Sequence, residues 1–213
     1  MYGIIRLIIT FLFFSCLLAI SKKNKVNKLK FRPILAGVSV ILVLVLEFLP
    51  IENLIVTFKS PESAYKYLKF YNSNIDLVVE GNNCDLVVEQ EYDSYSYLIL
   101  PKTSDGWKIA IGLNTQNISQ KFVNGILVNV YQYKRTNDYF IAVTDTTGDE
   151  VEISDDRNSE FQCLERYNDS LEKKIVVHFA HVSNFTAEYS LTVNGNKITL
   201  QNVTEDGMTP LKK

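Results

Sequence analysis

Ile75-Asp-Leu-Val-Val-Glu-Gly-Asn-Asn-Cys-Asp-Leu-Val-Val-Glu-Gln90 decides how the larger part of this chain folds. Two runs rich in β-branched residues, Ile75 to Glu80 and Leu86 to Gln90, flank Gly81-Asn-Asn83, and such runs broken by Gly and Asn read as strand, turn and strand. The same pattern continues downstream. Tyr95 to Leu100 leads into Trp107 to Gly112 through Lys102-Thr-Ser-Asp-Gly106, which contains the turn dipeptide Asp-Gly. Ile126 to Tyr133 pairs with Tyr139 to Thr144 across Arg135-Thr-Asn-Asp138, and Val151 to Ser154 adds a short strand. Lys174 to Val182, Glu188 to Asn194 and Lys197 to Gln201 complete the set, the last two meeting at Asn-Gly-Asn. Short connections favour antiparallel pairing.

Upstream of this stretch one helix is predicted over about residues 61 to 72. Ser60 is placed to cap it, Pro61 suits the first helical position and Glu62 complements the positive helix end. Ala64, Tyr65, Leu68 and Tyr67 or Tyr71 supply one apolar face for packing on a sheet. The polar stretch 155–172 is read as a surface loop or as a seam between two subdomains, and 204–213 as a flexible tail. The predicted class is α+β, with a β-rich, mostly antiparallel domain over 51–203 that carries one short helix.

The first 50 residues read differently. Apolar runs at about 4–20 and 34–49 flank a segment, 21–33, whose Ser21 to Arg32 portion holds six basic residues and no acid. A run of this kind crosses, or nearly crosses, a hydrocarbon layer about 30 Å thick, and Lys and Arg in short loops stay on the cytoplasmic side. The expectation is therefore a two-helix transmembrane hairpin integral to the lipid bilayer, with a basic cytoplasmic loop and with both termini and the C-terminal domain outside. The formal charge of -2 sums two unlike parts: seven basic residues and one acid precede Pro50, whereas fifteen basic and twenty-three acidic residues follow it. A domain of net charge near -8 lacks the clustered cations that phosphate neutralisation demands, which argues against a nucleic-acid partner.

No catalytic motif stands out after Pro50. No Gly-x-Ser-x-Gly elbow surrounds any serine, and Gly-rich phosphate loops are absent. His178 and His181 are the only histidines, and on a strand an odd spacing sends them to opposite faces, so they do not share a metal without a bulge. The acidic run Asp145 to Glu152 lacks the ordered loop that calcium uses. No metal ligand set, catalytic residue or cofactor is assigned. Cys84 and Cys163 are free to form a disulfide in an oxidising exterior, or either is a buried thiol. Tyr95 and Tyr97 share one strand face, which either stacks on a sugar or anchors a protein, or packs on the helix as part of the core.

The segments Glu52-Asn-Leu-Ile-Val-Thr-Phe-Lys-Ser-Pro-Glu-Ser-Ala-Tyr65, Val78-Val-Glu-Gly81 and Leu100-Pro-Lys-Thr-Ser-Asp-Gly-Trp-Lys108 resemble uncharacterised membrane-anchored extracytoplasmic proteins of low-GC Gram-positive bacteria (Firmicutes). The resemblance covers about residues 52 to 112, implies a bacterial cell-surface setting and carries over no functional residue. The function expected is a membrane-anchored binding or interaction module of the cell envelope, its partner a surface protein or a cell-wall component. The alternative is an envelope hydrolase or transferase acting on peptidoglycan or peptide.

Overall fold

A computed structural model of the chain describes residues 4–23, single helical positions between 34 and 45, and residues 50–69, 74–91, 94–110, 115–133, 136–145, 151–168, 173–185 and 189–200. In chain order the helices are α1 (Ile4–Lys23) and α2 (Pro61–Lys69), with a 3-10 turn at Ile51–Leu54 between them. The strands are β1 (Ile75–Val79), β2 (Cys84–Glu91), β3 (Ser94–Thr103), β4 (Gly106–Trp107), β5 (Thr115–Val123), β6 (Ile126–Tyr133), β7 (Asp138–Asp145), β8 (Ile153–Asp155), β9 (Gln162–Asn168), β10 (Lys173–Ser183), β11 (Ser190–Val193) and β12 (Asn196–Thr199). They form three antiparallel sheets, ordered β1-β2-β3-β4, β5-β6-β7-β10-β9 and β12-β11-β8.

Helix α2 and the sheets stack as layers, and the side-chain alternation of β2 shows why. Cys84, Leu86 and Val88 face the second sheet and pack with Phe140, Ala142, Val177 and Phe179. Val87 points the other way, into a cluster with Ala64, Tyr65 and Leu100 under α2. The opposite face of the second sheet, through Val128, Val130, Ile141 and Val143, meets Leu191, Val193 and Ile198 of the third. Strand β7 is thus covered on both faces. Its Tyr139-Phe-Ile-Ala-Val143 accordingly runs apolar without alternation, and Phe140, Ile141 and Val143 each contribute about 1.5–3 kcal/mol on burial.

Helix α2 begins as its sequence requires. The Ser63 N–H donates to Ser60 Oγ and the Ser60 N–H to Ser63 Oγ, both at 3.2 Å, a reciprocal cap in which Ser63 takes the place usually held by Glu or Gln. Beyond Trp107 the predicted strand is cut short. There Asn53 acts as a substitute strand partner: its Oδ1 accepts from the Ile109 N–H at 2.7 Å and its Nδ2 donates to the Ile109 carbonyl at 2.9 Å. Lys108 Nζ donates to the Asn53 and Val56 carbonyls at 2.9 and 3.0 Å, so the chain entering the domain is tied to the end of β4.

Two strands were not expected. β5 buries Ile118 among mostly polar neighbours and shows no usable alternation, while β9 lies inside the polar stretch 155–172. That stretch is not a plain loop, because β9 pairs with β10 from Lys173↔Asn168 to Phe179↔Gln162.

The transmembrane hairpin requires correction. Among the described residues no helix is long and apolar enough to cross a membrane, which overturns the expected hairpin over 1–50 and the two-pass localisation built on it. α1 takes in Arg6 near its start and Lys22 and Lys23 at its end, leaving fifteen residues, Leu7 to Ser21, between charges. A span needs about 20. Most of 34–49, residues 24–33 of the basic segment and the tail 204–213 lie outside the described residues.

Candidate functional site

Two buried carboxylates organise the turn between β1 and β2. Asp138, 0 % exposed at the start of β7, accepts at Oδ1 from the Asn82 N–H at 3.0 Å and at Oδ2 from the Asn83 N–H at 2.7 Å. Asp85 does the same for the preceding residue, its Oδ1 lying 3.1 Å from the Gly81 nitrogen, while its Oδ2 accepts from Trp107 Nε1 at 2.6 Å. Three consecutive backbone N–H groups of the turn are therefore held by side chains, one set from within the first sheet and one from the second. The close approach leaves no room for a side chain at position 81. A Cβ there would run into the Cys84 carbonyl and lie 3.1 Å from Phe140 Cζ and 3.3 Å from His181 Cδ2.

His181 completes this cluster. Its Nε2 lies 2.7 Å from Asp138 Oδ1, and the His181 side chain remains 19 % exposed. Burial alone would raise the Asp138 pKa, but the donors from Asn82, Asn83 and His181 outweigh it and hold the carboxyl below the usual Asp range. The carboxylate is therefore an acceptor, and His181 Nε2 carries the shared proton.

Two hollows border β1 and share one lining residue, Val78; together they are termed the trough. One, of about 720 Å3, is lined by Glu62, Lys66 and residues 74–78. The other, of about 390 Å3, is lined by Val78, Val79, Glu80, Glu160, Gln162 and His181. Among the described residues, strand β1 is the last strand of its sheet and pairs only with β2. The trough thus borders β1, with α2 beside one hollow and His181, paired with Asp138, beside the other.

Chemically the site can accept hydrogen bonds and attract cations, but no nucleophile faces it. Cys84 Sγ is 3.7 Å from Asp138 Oδ2 and fully buried, and burial, then the Asp138 charge, push its thiol up to about 12. The thiol is inert at neutral pH. Among the described residues no group of three or more His, Cys, Asp or Glu is placed to hold a metal ion.

The residues singled out from sequence fall elsewhere. Tyr95 and Tyr97 do share a face, yet it packs against the second sheet and not on α2: both rings meet Phe179 with centroids 6.4 Å apart. Tyr97, 37 % exposed, also stacks on Tyr131 at 4.9 Å and accepts a hydrogen bond from its hydroxyl at 3.0 Å. Cys84 and Cys163 are not brought together; both are free thiols, Cys84 buried in β2 and Cys163 exposed on β9. His178 and His181 do lie on opposite faces of β10, opposite Val143 and Phe140 of β7. Burial lowers the pKa of His178 against the opposing charges of Asp145 and Glu165, and its Nε2 has no partner among the described residues. Of the acidic run, residues 146–150 lie outside the described residues.

Asp138, Glu80 and Glu160 were missed. Asp138 reads as a turn residue in Arg135-Thr-Asn-Asp138, and only its position before an unbroken apolar strand hinted at burial. No protein-family model, curated protein or solved structure matches this chain, so the site stands on its own geometry.

Proposed function

We propose that this protein is a binding module that docks a partner along the β1 edge. The observation that carries the reading is the pair of hollows bordering a strand edge that is unpaired among the described residues, one of them beside a helix. The expected partners, a surface protein or a cell-wall component, narrow to a polypeptide, because a strand edge recognises backbone amides. The acidic balance of the chain after Pro50 disfavours nucleic acid.

A photo-crosslinking residue placed at Asp76, on β1, tests this in the full chain, with the same residue at Lys197, on β12, as control. A discrete adduct at position 76 that is absent at 197 supports docking; adducts at both positions, or at neither, refute it.

The second reading is a hydrolase or transferase acting on peptidoglycan or peptide. It is favoured by one observation, that His181, backed by a buried Asp, borders a cleft holding Glu80 and Glu160. Turnover of a peptide or peptidoglycan fragment that disappears in a folded His181→Asn variant would establish it.

A further inference from the structure

We propose that the trough takes an extended, basic segment of a partner protein, added as a strand beside β1, with a Lys or Arg side chain seated between Glu80 and Glu160 near His181. This rests on the reading of the trough as a docking surface and adds the chemistry of its occupant.

The backbone argument comes from comparing edges. Proteins blunt exposed edges with lysine, proline, bulges or short strands. The edge strands β5 and β12 carry Lys121 and Lys197, β9 carries the cation Arg166, and β8 and β4 are three and two residues long, β4 being bridged to Phe58. β1 reads Ile75-Asp-Leu-Val-Val79, without Lys or Pro. Its bulge lies between Ile75 and Leu77, leaving Leu77, Val78 and Val79 in regular register with Val88, Val87 and Leu86. Beyond that bulge, Leu77 to Val79 thus offer a regular edge without lysine or proline. The five residues of β1, at about 3.3 Å each, offer about 17 Å of edge, enough for about five partner residues.

The charge argument comes from the walls. Glu62, Asp76, Glu80 and Glu160 line the trough against one ammonium, Lys66. Glu62, Glu80 and Glu160 make no ion pair among the described residues, and Asp76 Oδ2 already accepts from the Gln90 N–H at 2.6 Å. Glu80 and Glu160 share the smaller hollow with the Gln162 amide, a setting that matches a cationic side chain with several N–H donors. An acidic segment would meet like charge at both ends.

The test uses the full chain and fluorescein-labelled acetyl-(Lys-Val)4-amide, followed by anisotropy. Two further versions carry N-methyl groups on every Lys or on every Val, each removing the donors of one strand edge. Binding is expected for the parent peptide, at least about ten-fold weaker for acetyl-(Glu-Val)4-amide, and at least about ten-fold weaker for one of the N-methylated versions. The surface variant Glu80→Gln with Glu160→Gln is expected to weaken the parent about five-fold while keeping the wild-type melting temperature. If neither N-methylated peptide loses affinity, or the double variant binds the lysine peptide unchanged, the inference is overturned. Absence of binding by every peptide also overturns it, while the cross-link at position 76 decides the docking surface independently.

Discussion

Asp138→Ala is the sharpest perturbation of this fold. Removing the carboxylate leaves the Asn82 and Asn83 N–H groups and His181 Nε2–H without their acceptor, beside a position that is 0 % exposed. A buried donor left unmatched costs about 1–3 kcal/mol, and the two turn amides are only partly buried, so the total is about 3–5 kcal/mol. That is a large share of the roughly 5–15 kcal/mol by which a domain is stable. Asp138→Asn keeps one acceptor and turns an amide NH2 toward a donor, for a loss of about 2 kcal/mol. Urea unfolding monitored by the emission of Trp107, the single tryptophan, and by far-UV circular dichroism measures both. The pH dependence adds a second check. The folded-state pKa of Asp138 is depressed, so its contribution is fully present above the unfolded value of about 3.9 and is lost as pH falls through the folded one. The stability gap between wild type and Asp138→Asn is therefore expected to narrow between pH 7 and pH 3. Asp155 is depressed in the same direction but is common to both proteins and cancels. A loss below about 1 kcal/mol for Asp138→Ala, or a gap that stays constant on acidification, would refute the reasoning.

Three further outcomes are expected. In a Cys16→Ser background, a thiol reagent should modify Cys163 in the native protein and reach Cys84 only on unfolding, as their exposed and buried settings require; equal rates would contradict them. Gly81→Ala should lower stability by about 2–3 kcal/mol through its collision with the Cys84 backbone, whereas Gly195→Ala, at φ +75° in open space, should cost about 1 kcal/mol; thermal melts in which the order is reversed would sink the argument. Tyr189→Phe removes the hydroxyl that donates to Asp155 Oδ2 at 2.8 Å, and denaturant titration should show a loss of about 1 kcal/mol, Asp155 keeping the Arg157 and Ser159 amides.

The strands that alternate or run apolar were legible because a sheet face leaves a period in the sequence. β1, β2, β3, β6, β7 and β10 all sit where their residues indicate, and Asn194-Gly195 forms its turn with both residues at positive φ. β5 hid because only Ile118 of its nine residues is buried, yet Asn124-Gly125, at φ 51° and 81°, was a hairpin signal in front of Ile126 that the reading passed over. β9 hid for a related reason: at an edge its charged residues need no burial. The N-terminal runs misled because Lys22 and Lys23 were assigned to a loop, whereas one helix takes in Arg6 and both lysines. The site was the least legible part. Asp138 and His181 are forty-three residues apart, and the trough joins α2, β1 and the approach to β9, so no local spacing could announce it.

The layering of the sheets also sets a timetable for synthesis. Leu86, Val88 and Ile99 find their cover on Phe140, Val177 and Phe179, so the first sheet emerges from the ribosome with its inner face bare. About 80 more residues must be made before Phe179 arrives, which at about 5–20 residues per second is roughly 4–16 s. During that interval the nascent chain presents an oily surface next to an open strand edge, the combination that nascent-chain chaperones shield and that crowded polysomes aggregate. Slowing elongation between Ile99 and Phe179 lengthens the exposure, and the yield of folded protein should fall with it.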